Sequence, residues 1–121
     1  MNIRIAAPIS KEFQQIQDEY LQDENKNRGI IELSALTPIE NEIYLWRGDI
    51  TRLVCRAIVN AANSGMTGCY QPCYNCIDNC IHTYAGIQLR NYCSDLMEKQ
   101  GMRNPQGQPK LLRPLICLVS M

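Results

Sequence analysis

The sequence predicts an α/β fold, because helical and strand patterns alternate along it. A helical pattern covers residues 10–24, and two more follow Cys76 and Gly86. Between the first helix and the other two lie two apolar segments with strand composition, residues 42–47 and 57–59. The length of 121 residues allows one domain with one hydrophobic core.

The first helix has a defined start and a predicted apolar face. Ser10 can cap its N-terminus, and Gly29 is placed to stop it after a polar C-terminal stretch. Three apolar side chains recur at helical spacing and should face the rest of the protein: Phe13, Ile16 and Tyr20. We expect residues 1–40 to form an N-terminal helical appendage and residues 41–121 to form the main domain.

The strand segments predict where a ligand would bind. Residues 48–51 interrupt the first strand and start a short helical turn. Residues 57–59 are fully apolar, as in a strand buried on both faces, and give way to small and polar residues at 60–63. Because ligands sit at the carboxyl ends of strands in open α/β sheets, we expect the site at residues 60–63.

The two later helices also show apolar faces and a stop signal. The first carries three apolar residues on one side: Ile77, Ile81 and Tyr84. The second runs to about Gln100, and Gly101 is placed as its C-terminal stop. Its apolar positions recur at helical spacing: Leu89, Tyr92, Cys93 and Leu96. Residues 103–110 read as a polar loop, and residues 111–121 as one final strand at most.

Charge and cysteine content exclude some functions. The chain has 12 Lys and Arg against 12 Asp and Glu, with no basic cluster, so we expect no nucleic-acid partner. No apolar run approaches the roughly 18 residues that span a bilayer, and we see no secretory signal. We therefore expect no membrane partner, a cytoplasmic location, and cysteines that serve as thiols or metal ligands rather than disulfides. Four cysteines fall close together: Cys69, Cys73, Cys76 and Cys80.

Four segments of the chain form a recognisable set. They are GDIT at 48–51, AIVNAAN at 57–63, GCYQPCYNCIDNCIH at 68–82 and AGIQLR at 85–90. Together they resemble the zinc-containing bacterial and microbial macrodomains, relatives of the MacroD-type ADP-ribosyl hydrolases. The resemblance runs from about residue 43 to residue 110, and IQDEY at 16–20 is similar to the family's leader. It implies a three-layer α/β/α fold with a mixed sheet, and ADP-ribose or an ADP-ribosylated protein as the partner.

The resemblance implies a binding role for the turn after the first strand. In the family, the Asp at the position of Asp49 accepts a hydrogen bond from the adenine amino group, and the resemblance adds Ile50 to the ADP-ribose site. The chemistry allows this, because a carboxylate accepts such a bond. Asp49 can also cap the short helical turn that follows it, and the two roles are compatible.

Asn63 and Asp78 are the predicted catalytic residues. The family places the second Asn of its motif, here Asn63, on the distal ribose, and an acidic residue, here Asp78, near the same ribose. A carboxylate there can orient a water or act as a base in hydrolysis. Alternatively, Asp78 satisfies free amides at a helix N-terminus, and Asn60 is the better candidate for a loop-stabilising Asn. We expect His82 to pack or hydrogen-bond rather than to bind a ligand.

The resemblance also implies Zn²⁺ as a cofactor. The family holds zinc with two cysteines and a histidine; the cysteines match Cys69 and Cys76, but Tyr74 replaces the histidine and is a poor ligand at neutral pH. Because Cys73 can supply a third thiolate, we expect zinc on Cys69, Cys73 and Cys76. The structural alternative is a closed four-cysteine knuckle that adds Cys80. A radical SAM iron–sulfur motif shares the spacing but requires a far longer chain.

The C-terminal part departs from the family. A macrodomain needs a further Gly-rich loop over the pyrophosphate, whereas after Gly101 the chain has only Gly107. We therefore expect an incomplete macrodomain, truncated before its C-terminal strands, with a divergent tail at 111–121. The expected ancestral activity is zinc-dependent hydrolysis of ADP-ribose from modified protein side chains. The alternative is a non-catalytic ADP-ribose-binding module, or an inactive remnant with a structural all-cysteine zinc site.

Overall fold

The computed structural model describes residues 3–112. Within this range the helices are α1 Lys11–Arg28, α2 Ile77–Tyr84 and α3 Ile87–Gln100. The strands are short: β1 Ile31–Glu32, β2 Pro38–Glu40, β3 Ile43–Tyr44 and β4 Leu53–Val54. Two 3-10 turns, Leu33–Ala35 and Ile50–Arg52, complete the element order.

The strands form two separate pairs. β1 pairs with β4 in parallel, with Ile31 opposite Leu53, and β2 pairs with β3 antiparallel, with Pro38 opposite Tyr44. Helices with small sheets are compatible with the predicted α/β class. Over residues 3–112 the pairs do not join into one mixed sheet, so that sheet, the three layers and the missing strands stay predictions. The predicted tail at 111–121 lies, from residue 113 onward, outside the described residues.

Helix α1 has its predicted cap and its predicted stop at Gly29, and it extends beyond the predicted residue 24 to Arg28. Its predicted buried face is wrong. The Ser10 hydroxyl caps it by accepting a hydrogen bond from the Phe13 amide, and Gly29 ends it with φ +81°. Phe13, Ile16 and Tyr20 are 40%, 60% and 63% exposed. The buried side chains lie on another stripe of the helix: Gln17, Leu21 and Asn25. One reason is that Gln17 is buried by polar contacts with α3, which apolar periodicity cannot detect.

Gln17 anchors α1 on the start of α3. Its Oε1 accepts a hydrogen bond from the Ile87 amide at 3.0 Å, and its Nε2 donates to Gln88 Oε1 at 2.6 Å. The Gln88 amide in turn donates to Asp18 at 2.7 Å. Because the first amides of a helix lack partners within it, Gln17 satisfies one of them from a distant part of the chain. Gly86, with φ +81°, permits this close approach.

The predicted strand at residues 57–59 is also wrong. In the described residues no strand covers this segment, and Val59 is 92% exposed. The parallel strand forms earlier instead, at β4, which follows the 3-10 turn Ile50–Arg52 directly. Of residues 57–59, Ile58 is the one that packs against the hydrophobic core, and it is partly buried there. The short apolar run at residues 57–59 therefore predicted a strand at the wrong position. A run this short has no periodicity that could distinguish a strand from a loop.

The core lies between α2, α3 and the loop before them. Its buried members are Met66, Ile81, Ala85, Leu89 and Cys93. The predicted extents of both helices are confirmed, and Gly101 ends α3 in the left-handed conformation with φ +70°. The core thus fixes α2, which carries the residues described next.

The two strand pairs each join residues on either side of position 40. The predicted division into an appendage at 1–40 and a domain at 41–121 stays a prediction. Across residues 3–112, no helix has the length and apolar character needed to cross a membrane.

Candidate functional site

Asp49 organises the turn between β3 and β4. Its Oδ1 accepts hydrogen bonds from the Thr51 amide at 2.9 Å and from the Thr51 hydroxyl at 2.6 Å. Asp49 is therefore the cap of the 3-10 turn Ile50–Arg52, as one of its two predicted roles required. Its side chain remains 42% exposed, which leaves it reachable from solvent. Ile50, the other predicted ligand contact in this turn, is half-buried.

Arg28 at the end of α1 joins the Asp49 turn. Its Nη2 contacts Asp49 Oδ2 in a short ion pair and donates to the Thr51 hydroxyl at 3.0 Å. Partial burial alone would raise the pKa of Asp49, but the Thr51 hydrogen bonds and the Arg28 charge outweigh it, so the net shift is downward. Asp49 is thus held as a carboxylate.

Asp78 lies in the first turn of α2 and is buried. Its Oδ1 accepts a hydrogen bond from Asn60 Nδ2 at 2.8 Å, and His82 Nε2 lies 3.5 Å from the same oxygen. The capping of α2 falls instead to Cys76, whose Sγ accepts from the Asn79 amide at 3.4 Å. Asp78 therefore serves a buried polar cluster rather than the helix N-terminus.

His82 completes this cluster, and its place agrees with its predicted hydrogen-bonding role. Burial lowers the pKa of His82; the Asp78 carboxylate opposes this shift, and the Arg90 guanidinium adds to it. Asp78 and His82 are four residues apart and share a face of α2. Cys80 and Tyr84 lie on the opposite face, towards Arg28 and Asp49. Helix α2 therefore connects the two polar clusters.

Asn63 belongs to neither cluster. Its Nδ2 donates to the Gly68 carbonyl at 3.0 Å, and its Oδ1 accepts from the Gly65 amide at 2.8 Å. These bonds shape the loop at residues 63–68, although the residue is exposed. Asn60 rather than Asn63 is the Asn that contacts Asp78. Nδ2 keeps a second N–H and Oδ1 a second lone pair, so the exposed Asn63 side chain can still bind a ribose hydroxyl.

The structure brings together two of the three predicted zinc ligands. The sulfurs of Cys69 and Cys76 lie 3.4 Å apart, whereas Cys73 is exposed and has φ +53°. Burial raises the pKa of Cys76, and the neighbouring Cys69 thiol raises it further, against the Asn79 amide. Within the described part of the chain, no group of three or more His, Cys, Asp or Glu residues is arranged to hold a metal.

The thiol pair fits part of a zinc site. Two thiolates bound tetrahedrally at about 2.3 Å from zinc lie roughly 3.8 Å apart, close to the separation of Cys69 and Cys76. Tyr74, at the position where the family has its histidine, is exposed, and its carbonyl accepts a hydrogen bond from Asn79 Nδ2 at 3.0 Å. The set of Cys69, Cys73 and Cys76, and the knuckle that adds Cys80, stay predictions.

Sequence reasoning missed Arg28. It lies 21 positions before Asp49, in a stretch of polar residues that matches no motif. A basic residue in the last turn of a helix has an ordinary explanation in the helix dipole, so nothing in the local pattern indicates a tertiary role. Only a paired change of Arg28 and Asp49 among relatives could have revealed the contact from sequence.

The chain is similar to one protein family and to several named proteins. The family model of the macro domain matches residues 59–113. A protein-ADP-ribose hydrolase of Treponema medium is 54% identical over 115 residues, which is 92% of this chain and 44% of the relative. A protein-ADP-ribose hydrolase of Staphylococcus aureus (strain COL) is 44% identical over 113 residues, 93% of this chain and 42% of the relative.

A third relative is much longer. It is named a probable bifunctional ADP-ribose hydrolase/ADP-ribosyltransferase, from Fusarium oxysporum f. sp. cubense, and is 51% identical over 67 residues. That match covers 54% of this chain and 11% of the relative. The chain spans less than half the length of each of these curated relatives. Residues 59–113 match the macro-domain family model, and the relatives of the chain include proteins named protein-ADP-ribose hydrolases.

Proposed function

We propose that this chain binds ADP-ribose at the Asp49 turn and removes ADP-ribose from modified protein side chains. The observation that carries the proposal is the Asp49 carboxylate, which is ionised, fixed by Thr51 and Arg28, and 42% exposed. A fixed carboxylate of this kind can accept a hydrogen bond from the adenine amino group. The homologues named protein-ADP-ribose hydrolases support hydrolysis as the activity.

The distal ribose would meet Asn63 and Asp78. In hydrolysis, the oxygen of a water bonds to the anomeric carbon and the water's proton passes to the Asp78 carboxylate. The bond between that carbon and the protein side chain breaks, its electron pair leaves with the side chain, and the proton is then returned from Asp78 to the side chain or to solvent. The hydrogen bond between Asn60 and Asp78 holds the carboxylate away from solvent. Catalysis therefore requires the segment that carries Asn60 to move aside, which would also free Asp78 to orient the water.

A second candidate function is ADP-ribose binding without turnover. Asp78 is buried, and the oxygen that faces the loop already accepts a hydrogen bond from Asn60. If this arrangement persists when ligand binds, the chain holds ADP-ribose at Asp49 and has no accessible base. The difference between the two candidates is therefore the accessibility of Asp78.

We extend the proposal to zinc, with Cys69 and Cys76 as two ligands and Cys73 as the third. The sulfur separation of 3.4 Å supports the pair, and the cysteines of the described chain are free thiols, which fits a reducing, cytoplasmic setting. When bound beside Asp78, zinc would supply Lewis acidity towards the distal ribose or a substrate oxygen. The protein residues would orient the ribose, hold the water and take up its proton.

The proposed activity is tested on the purified chain with a mono-ADP-ribosylated protein. We expect release of free ADP-ribose by the unmodified chain and loss of release in Asp78→Asn, with binding of ADP-ribose retained in both. Asp95→Asn, an exposed substitution on α3, is the matched control and should leave release unchanged. Binding without release by the unmodified chain would select the binding module, and absence of both would refute the proposal.

The zinc extension is tested by the metal content of each variant, independently of activity. We expect about one zinc per chain in the unmodified protein and loss of that zinc in Cys69→Ser and Cys76→Ser. Cys73→Ser should lower zinc retention against a chelator, because it removes the third ligand. Cys55→Ser, outside the loop, is the control. Retention of zinc in Cys69→Ser and Cys76→Ser would refute the assigned ligands.

A further inference from the structure

Arg28 is held from several sides around the Asp49 carboxylate. Besides its bonds to Asp49 and Thr51, its Nη1 donates to Asn25 Oδ1 at 3.3 Å. Its guanidinium carbon lies over the Tyr84 ring, 3.6 Å from the ring centroid, in a cation–π contact. These contacts come from α1, the 3-10 turn Ile50–Arg52 and α2. A side chain that normally has many rotamers is therefore confined to one placement.

The position of Arg28 determines which part of Asp49 remains open. An ionised carboxylate offers about four acceptor positions, two on each oxygen. Oδ1 uses both of its positions on Thr51, through the amide and the hydroxyl. Oδ2 uses one on Arg28. One position on Oδ2 therefore remains, and the carboxylate can accept one further hydrogen bond.

We propose that Arg28 is a positioning residue that makes Asp49 selective for the exocyclic amino group of adenine. This inference rests on the function proposed above, because it concerns the same binding site. Arg28 fixes the orientation of Oδ2 and leaves one acceptor position, which suits a single N–H donor. A carbonyl oxygen at the same place on the purine meets a carboxylate lone pair and is rejected. Without Arg28, water can hydrogen-bond to Asp49 Oδ2 from several directions, and the preference for an amino group over a carbonyl group on the purine is lost.

Arg28 also explains why α1 contributes to the site at all. The helix is attached to α3 through Gln17, and the Gly29 carbonyl that follows it accepts a hydrogen bond from Arg52 Nε at 2.8 Å. These two attachments fix the C-terminal end of α1 beside the Asp49 turn. Helix α1 thus places the Arg28 guanidinium beside the Asp49 carboxylate, which belongs to the GDIT motif at residues 48–51.

The test compares two ligands on one set of variants. Calorimetry on the purified chain would measure binding of ADP-ribose and of inosine diphosphate ribose, which carries a carbonyl in place of the amino group. We expect the unmodified chain to prefer ADP-ribose. Arg28→Ala should weaken ADP-ribose binding about tenfold and leave the inosine compound within about twofold, the loss of one hydrogen bond to a charged group. Lys26→Ala, exposed in the same turn of the helix, should change neither.

Two further variants separate positioning from folding. Arg28→Lys keeps the charge but loses the fork of donors, so it should give an intermediate preference even if Arg28→Ala does not fold. In an Asp49→Ala background, Arg28→Ala should cause no additional loss, because its effect acts through Asp49. Equal weakening of both ligands in Arg28→Lys would overturn this inference while the proposed function stands. Absence of ADP-ribose binding by the unmodified chain would instead overturn the proposed function.

Discussion

Asn60 Nδ2 donates a hydrogen bond of 2.8 Å to Asp78 Oδ1, and this bond joins the loop before the cysteines to α2. The carboxylate it meets is buried and shares that oxygen with His82 at 3.5 Å. A buried carboxylate is costly unless donors compensate for its lost hydration. The bond therefore stabilises the fold and at the same time closes off the predicted catalytic group.

Asn60→Ala should lower the free energy of unfolding by about 1–3 kcal/mol, the range for a buried acceptor that loses its partner. The matched control is Asn75→Ala, an exposed Asn in the cysteine-rich loop, which should have little effect. Urea denaturation of both variants measures the difference. An Asn60→Ala variant as stable as the control would show that the bond contributes nothing to the folded state.

Two glycines with positive φ should respond differently to substitution. Gly86 has φ +81°, and an added Cβ would lie 2.6 Å from both Gln17 Nε2 and Gln88 Oε1. Gly101 has φ +70°, and an added Cβ there meets nothing within 4 Å. The two sites also differ in ψ, which is 172° at Gly86 and 2° at Gly101. Gly101 is in the left-handed helical region, whereas Gly86 is in a region that essentially only Gly adopts, so Gly86→Ala carries the larger backbone strain, about 1–3 kcal/mol. It also displaces the Gln17 anchor.

Thermal melts of the two variants provide the comparison. Gly86→Ala should melt at a lower temperature than Gly101→Ala, because it loses about 1 kcal/mol or more in displaced hydrogen bonds in addition to its greater backbone strain. Gln17→Ala in the Gly86→Ala background should add less destabilisation than Gln17→Ala alone, because the anchor is already lost. Full additivity of the two changes would mean that Gly86 and Gln17 do not interact.

These elements also show which features could be predicted from sequence. Ser10, Gly29, Gly101 and the turn at Asp49 were predictable, because caps and stops depend on residues within one helical turn. The buried face of α1 was not, because Gln17 bonds the amide of Ile87, 70 positions away. A polar residue with a distant partner has the same local pattern as a polar residue in solvent.

The surroundings of the predicted site residues were predictable to different extents. Asp49 and Asp78 were identified from motifs, and both prove to be organised carboxylates. Their partners differ in predictability: Thr51 is in the same motif as Asp49, whereas Arg28 is on a separate helix. The pairing of Cys69 with Cys76 agrees with their spacing, but the position of Cys73 depends on a turn with positive φ that a non-glycine residue rarely adopts.

The Asp49 turn should make stability depend on acidity. The folded-state pKa of Asp49 lies below its ordinary value of 3.8, so the unfolded chain binds this proton more readily. The stabilisation from Asp49 is therefore present above about pH 4 and is lost as the pH falls through the folded pKa. Unfolding of the unmodified chain and of Asp49→Asn, measured from pH 6 down to about pH 2.5, should converge at the acid end. Asp23→Asn, exposed on α1, controls for net charge and should run parallel to the unmodified chain throughout.

His82 offers a direct view of the buried cluster, since it is the one histidine in the sequence. Burial lowers the pKa of His82 below its ordinary value of 6.5, despite the opposing Asp78 carboxylate. In the unfolded chain His82 is protonated near pH 6.5, whereas in the folded chain it stays neutral until a lower pH. Stability should therefore fall as the pH is lowered through 6.5. NMR of the tag-free chain would follow one imidazole, whose midpoint we expect below pH 6.5. The His82→Gln variant should lose the fall in stability between about pH 7 and the folded pKa. A midpoint at or above 6.5 would mean that Asp78 outweighs burial and that the cluster holds a charged ion pair.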